Sequence, residues 1–240
     1  MEIKTPLSTK ETSKIDISNI LKSSVIPYFT RSNLTLLLGG SRRTLDAKIS
    51  RLIKDGVLLR IASGEYINKS FYDKLTPLER VLFMEYISTV LVYPSYISLE
   101  YALSKYNFLA ESAEAITLVT TKKTQEFALI QPFFIYRSIK PLYFNSYRER
   151  TFKDYVYPFA PLSKAFFDLA YLTPLKNIAE TKAFLFDSRF NWDVFSSSQR
   201  EYESSQVGEE EKARLEFLLM SSNSPKMEKI CTYLKKEKVL

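Results

Sequence analysis

The chain has 240 residues, 45% hydrophobic and 25% charged, a mix that suits one large or two ordinary globular domains. It holds no histidine and one cysteine, Cys231, which excludes Ser-His-Asp and Cys-His catalysis, His-ligated metals, an internal disulfide and any cysteine-rich zinc site. The net charge of +7 is unevenly placed: residues 1–75 carry 13 Lys/Arg against 7 Asp/Glu, and residues 76–240 carry 21 against 20. A basic excess confined to one segment points to a nucleic acid partner for that segment.

Residues 1–14 are polar and are expected to form a mobile tail. They contain no apolar signal core, and the chain has no run of 18 apolar residues, so no membrane span is expected and a cytoplasmic protein is the default. Ile15, Ile17, Ile20, Leu21 and Val25 predict a first helix that ends at Pro27. Leu34, Leu37 and Leu38 place apolar side chains on one face of a short helix after Thr30. Gly39-Gly40 breaks that helix, and Ser41 stands where an N-cap belongs. Leu45, Ile49, Leu52 and Ile53 then recur at helical spacing, and Asp55-Gly56 closes this second helix. Val57 to Ile61 is β-prone, Ala62-Ser63-Gly64 is a turn, and Tyr66-Ile67 pairs back. Helix, tight turn, helix and two-stranded wing make a winged helix-turn-helix.

The face of the second helix opposite its apolar stripe carries Arg43, Ala47, Ser50, Arg51 and Lys54, flanked by Thr44 and Lys48, with Arg42 in the first turn. A short basic face centred on alanine fits the major groove of duplex DNA. Arg60 falls on the wing, where phosphate contact is usual. The candidate DNA-binding residues are therefore Arg42, Arg43, Thr44, Lys48, Arg51, Lys54 and Arg60.

Lys69 to Leu75 reads as a connector, and Thr76-Pro77-Leu78-Glu79 as a capping box with proline at the first helical position. The domain boundary is placed at residue 75, with a mixed α/β domain over residues 76–240. A helix to about Val92, stopped by Tyr93-Pro94, is followed by a helix over 98–106 and by strands over 115–121, 126–130 and 133–139. A short fourth strand is predicted over 141–144. Pro161 starts a helix with a broad apolar face, and three more helices are predicted over 191–204, 207–220 and 225–238. The fold class is thus α+β: a winged helix, then a small mixed sheet with helices at its C-terminal end.

Ten aromatics lie between Phe133 and Phe159, interleaved with Arg137, Lys140, Arg148, Arg150 and Lys153. Most of the aromatics are expected to line the core. Tyr147, Arg148 and Arg150 fall outside the predicted strands and are candidate partner contacts. Lys164 and Asp168, four apart on one helix, are either a polar site that contacts a partner or fixes the strand layer, or an i,i+4 ion pair.

A catalytic reading finds little support. Gly39-Gly40-Ser41 resembles the start of a nucleotidyltransferase site, but that chemistry needs two closely spaced carboxylates on a following strand. Asp46, Asp55 and Glu65 are isolated from one another. No catalytic residue, metal or cofactor is assigned.

Three stretches together resemble the AbiEi-type antitoxins, the regulator half of the abortive-infection (type IV) toxin–antitoxin systems. They are SRRTLDAKISRLIKDGVLLRIASGEYI, then YPSYISLEYALSKYNFL with AITLVTTKK, then FIYRSIKPLYF with APLSKAFFDLAYL, in matching order over about residues 28–175. Asn107-Phe108 and Pro132-Phe133-Phe134 depart from the family pattern at two loops. The resemblance implies a C-terminal domain that neutralises a nucleotidyltransferase-like toxin and an N-terminal domain that represses the operon by binding its operator. The competing reading is a winged-helix regulator whose C-terminal domain senses a ligand or protein partner unrelated to a toxin.

Overall fold

The computed structural model describes residues 17–128, 131–187, 189–195 and 207–240. The predicted tail over 1–14, Ile15, residues 129–130 and most of the helix predicted over 191–204 lie outside the described residues. The protein is mixed α+β, with ten α-helices and two sheets among the described residues. It divides into two compact units at the Leu75–Thr76 junction.

The N-terminal unit runs α1 (Ile17–Ser23), β1 (Tyr28–Thr30), α2 (Arg31–Leu38), α3 (Arg42–Lys54), β2 (Leu58–Ala62), β3 (Glu65–Asn68) and α4 (Lys69–Asp73). β3 lies between β1 and β2, antiparallel to both. Thr30 caps α2 with a reciprocal box: its hydroxyl accepts from the Asn33 N–H, and Asn33 Oδ1 accepts from the Thr30 N–H. Gly39 and Gly40 take φ of 58° and 100°, which ends α2 and lets Ser41 cap α3. A Cβ on Gly40 would stand 2.6 Å from Thr44 Oγ1, so this turn requires glycine twice over.

Leu45, Ile49 and Leu52 of α3 pack with Leu34 and Leu38 of α2 and with Phe29, Val57, Leu58 and Tyr66. Each such side chain contributes about 1.5–3 kcal/mol by burial. Leu37 is 50% exposed, so the inward face of α2 is narrower than its run of leucines predicts. Val25 is exposed as well, because α1 ends two residues before it. The buried Asn68 amide donates to the carbonyls of Leu21, Ser24 and Ile26, tying β3 to the end of α1 and to the chain after it. Its side-chain oxygen also caps α4, a helix where the sequence predicts a connector.

The C-terminal unit starts with α5 (Pro77–Leu91), whose Thr76 cap and Glu79 form a reciprocal box. There follow β4 (Ser95–Ile97), α6 (Leu99–Lys105), β5 (Ala115–Thr120), β6 (Gln125–Phe127), β7 (Phe133–Ser138), a 3-10 turn at Pro141–Tyr143, β8 (Arg148–Phe152) and β9 (Tyr155–Phe159). Helices α7 (Leu162–Leu172), α8 (Ile178–Leu185), α9 (Val207–Ser221) and α10 (Pro225–Lys236) complete it, with a 3-10 turn at Trp192–Phe195 before α9. The sheet order is β6-β7-β5-β4-β9-β8. Pairs β5/β7 and β4/β9 are parallel, and β4/β5, β6/β7 and β8/β9 are antiparallel.

The sheet is larger than its sequence predicts. β4 is missed because Tyr93-Pro94 reads only as a stop signal, and β8/β9 because Arg148-Glu149-Arg150 lacks alternating apolar residues. β8 is an edge strand, where charged side chains meet solvent and discourage further pairing. The fourth strand predicted at 141–144 is instead the 3-10 turn, and α8 has no predicted counterpart. Phe108 anchors the helical layer: it stacks on Phe190 and meets Phe166, Trp192 and Phe195 edge-on, with centroids 5.0–5.7 Å away. Among the described residues no helix is long and apolar enough to cross a membrane.

Candidate nucleic-acid interface

Every expected DNA-facing residue of α3 is exposed: Arg42, Arg43, Thr44, Lys48, Arg51 and Lys54 all lie away from the Leu45-Ile49-Leu52 stripe. The first turn of α3 contains Arg42 and Arg43 and no acidic residue. This opposes the local rule, because a helix N-terminus carries partial positive charge and favours carboxylates there. Two guanidiniums added to that end build a concentrated positive potential, the arrangement that attracts phosphate.

The other charges differ in how free they are. Arg51 is 3.6 Å from Asp55 but 85% exposed, so this pair contributes only tenths of a kcal/mol and leaves the guanidinium available. Lys48 is committed: its ammonium donates to the carbonyls of Leu38 (2.6 Å) and Gly39 (3.3 Å), closing the end of α2. Thr44 is also engaged, its hydroxyl donating to the Ser41 carbonyl at 2.8 Å. These two build the turn that presents α3, a role that sequence periodicity does not distinguish from ligand contact.

Arg60 sits on β2 at an irregularity, where the register with β3 shifts between Arg60 and Ala62. A bulge re-aims the side chains beside it. The Arg60 Nε donates to the Ala62 carbonyl at 3.2 Å, leaving the rest of the exposed guanidinium outward. Between α3 and the β2–β3 hairpin lies an open groove of about 550 Å³, lined by Arg31, Arg42, Asp46, Ser50, Arg60 and Tyr66 among others.

Arg31 is the basic lining residue that sequence reasoning missed; the signal was the Thr30 capping box, which fixes Arg31 as the first residue of α2. Arg31 pairs with Asp46 at 2.6 Å, and its hydrogen bond holds the Asp46 carboxyl below the usual range. The acidic residue on the basic helix is thereby neutralised. Glu65, at the groove's far wall, accepts from the Tyr28 hydroxyl, and burial pushes its carboxyl up.

In the C-terminal unit the candidate partner contacts separate into two groups. Tyr147 is 40% exposed and stacks on Tyr96 at 4.9 Å. Arg148 is exposed on β8, 3.8 Å from the buried Glu211 carboxylate. Arg150, also on β8, lies 3.5 Å over the Phe159 ring and donates to the Tyr106 hydroxyl at 3.2 Å, so much of its guanidinium is already occupied.

Lys164 and Asp168 form the expected i,i+4 ion pair at 2.7 Å, and the partner-contact alternative is corrected, because neither has exposed surface. Asp168 accepts from Lys164 (2.7 Å), the Tyr96 hydroxyl (2.8 Å) and the Ser98 hydroxyl (2.8 Å), and Lys164 also donates to the Tyr143 carbonyl. Burial pushes the Asp168 carboxyl up, and the Lys164 charge pulls it back down. The pair therefore fastens α7 to β4 and to the Pro141–Tyr143 turn. Buried Glu85 does the same for α5, accepting from the Tyr101 and Tyr157 hydroxyls at 2.7 Å each.

Among the described residues no group of three or more Cys, Asp or Glu side chains could hold a metal ion. No protein-family model matches the chain, and no curated protein matches it.

Proposed function

We propose that residues 1–75 are a winged-helix domain that lays α3 in the major groove of duplex DNA, with the β2–β3 hairpin as the wing. The supporting observation is the first turn of α3, where Arg42 and Arg43 stand at the cost of local helix preference. Local rules are broken where function requires it. Arg43 and Arg51 are the base-reading candidates, Arg42, Lys54 and Arg60 are phosphate contacts, and Lys48 and Thr44 hold the turn. Residues 76–240 are then the antitoxin half of a cytoplasmic type IV-like toxin–antitoxin system, acting against a nucleotidyltransferase-like toxin. This second statement rests on the three-stretch resemblance and on the near-balanced charge of the C-terminal unit. The whole protein represses its own operon through the first domain.

Two experiments test the proposal. Fluorescence anisotropy with duplex from upstream of the gene is expected to give salt-sensitive binding. Co-expression with a neighbouring nucleotidyltransferase-like gene is expected to restore growth, and a fragment beginning at Thr76 is expected to keep the rescue and lose operator binding. Absence of any nucleotidyltransferase-like toxin that the chain neutralises would overturn the antitoxin half and leave the DNA-binding half standing.

A further inference from the structure

The C-terminal unit is nearly neutral as a whole, yet four of its cations converge. Ser95 lies opposite Thr120, Thr120 lies beside Ser138, and Gln125 lies opposite Tyr136. These registers bring the loop before β4, the turn after β5 and the segment after β7 to one end of the sheet. Two hydrogen bonds fix them there: Thr120 Oγ1 to the Pro94 carbonyl (2.7 Å) and the Ile139 N–H to the Thr120 carbonyl (2.9 Å). At this end stand Lys122, Lys123, Arg137 and Lys140, all exposed. Among the described residues none of the four forms an ion pair, whereas Lys105, Arg148, Lys153, Lys164, Arg189 and Lys235 of the same unit each have one. Glu126 on β6 is the nearby acidic residue along the chain and leaves a local excess of three positive charges. Tyr93 projects from the same end with 82% of its surface exposed.

We propose that this end of the six-stranded sheet binds single-stranded polynucleotide, with the four cations on phosphates and Tyr93 beneath a base. Like charges held together without counter-ions mark a polyanion site. The aromatic distinguishes the kind of polyanion: a ring can stack on an unpaired base, but has no face to offer a stacked duplex or an acidic peptide. Among the described residues the four cations stand on β7 and on loops, not on a helix that could enter a major groove, unlike those of α3. The site is independent of the duplex reading of the N-terminal unit.

The test uses the full chain carrying Arg43→Ala/Arg51→Ala, to suppress binding through α3, and a fluorescein-labelled oligouridylate of about 20 nucleotides, a length chosen to exceed one site. Binding is expected at low salt. Lys122→Ala/Lys123→Ala/Arg137→Ala/Lys140→Ala is expected to weaken it about tenfold or more and to lower the slope of log affinity against log salt by about 3, at roughly 0.7 per phosphate contact. Should that variant not fold, the exposed turn pair Lys122→Ser/Lys123→Ser is expected to lower the slope by about 1.4. Tyr93→Leu is expected to weaken oligouridylate about fivefold while leaving polyglutamate binding unchanged. Affinity and slope unaffected by the cation variants would overturn the proposal. Equal affinity for a duplex of the same length would overturn it too, as would polyglutamate binding as tight as oligouridylate with no effect of Tyr93→Leu, which would assign the patch to an acidic protein.

Discussion

On α3 of the N-terminal unit, Arg42, Arg43, Arg51 and Lys54 stand in solvent on a helix whose opposite face is Leu45, Ile49 and Leu52. On α7 of the C-terminal unit, Lys164 has no exposed surface, and its ammonium is held by Asp168 and the Tyr143 carbonyl. The same residue types serve two ends. Those four charges on α3 stay in solvent, whereas the charges on α7 are satisfied inside the fold and give the sheet and its helices one arrangement. Buried pairs of this kind are costly to break because the surviving partner stays desolvated.

That difference sets the size of what mutation should do. Lys164→Met is expected to destabilise the protein by about 3–5 kcal/mol, read by urea unfolding, and Lys164→Met/Asp168→Leu by much less, since no lone charge remains. Gly40→Ala comes next, at about 2 kcal/mol or more, because φ is positive there and the new methyl meets Thr44 Oγ1. Lys48→Met should cost about 1 kcal/mol in the N-terminal unit's stability, the worth of its hydrogen bonds to the end of α2. If Lys48→Met left stability untouched and weakened only DNA binding, the division between exposed ligand-facing cations and internally held ones would fail on α3 itself.

Glu79 gives the smallest effect and a pH signature. The Thr76 N–H and Lys153 hold its carboxyl down at about 2, against an ordinary 4.5. Its contribution to stability is therefore present above about pH 4.5 and is lost as pH falls through the window down to about 2. Glu79→Gln is expected to lower stability at neutral pH, with the difference from the native chain vanishing near pH 2, as read by denaturant titration at a series of pH values. A constant difference across that range would show that the carboxylate charge is irrelevant to the cap.

Much of the secondary structure was legible where a local signal was strong. Gly39-Gly40-Ser41 fixed a helix break and a cap within one residue, and Thr76-Pro77-Leu78-Glu79 fixed the start of α5. Leu58–Ala62 and Glu65–Asn68 are strands, as the β-prone run over Val57 to Ile61 and the pairing back at Tyr66-Ile67 predict, although Ala62, expected in the turn, ends β2. Strands β4 and β8 were not legible, because they owe their existence to pairing: three residues of β4 join β5 to β9, and β8 is an edge strand of mostly polar residues. At the candidate interface, spacing identified which residues of α3 face away from the core. It could not tell that Lys48 and Thr44 turn back onto the preceding turn, or that the i,i+4 pair Lys164 and Asp168 lies inside. Both depend on tertiary neighbours, Leu38 in one case and Tyr96, Ser98 and Tyr143 in the other.

The most direct test is the affinity of the Arg43→Ala/Arg51→Ala variant for operator duplex, measured by anisotropy over a range of salt, beside its thermal unfolding. Both side chains are exposed, so unfolding should be unchanged. Affinity is expected to fall by about 1–3 kcal/mol for each arginine that reads a base, with discrimination between operator and unrelated duplex reduced. If one makes only a phosphate contact, all duplexes should weaken alike and the salt slope should fall by about 0.9. Operator affinity and salt slope both equal to those of the unaltered chain would contradict the placement of α3 in the groove.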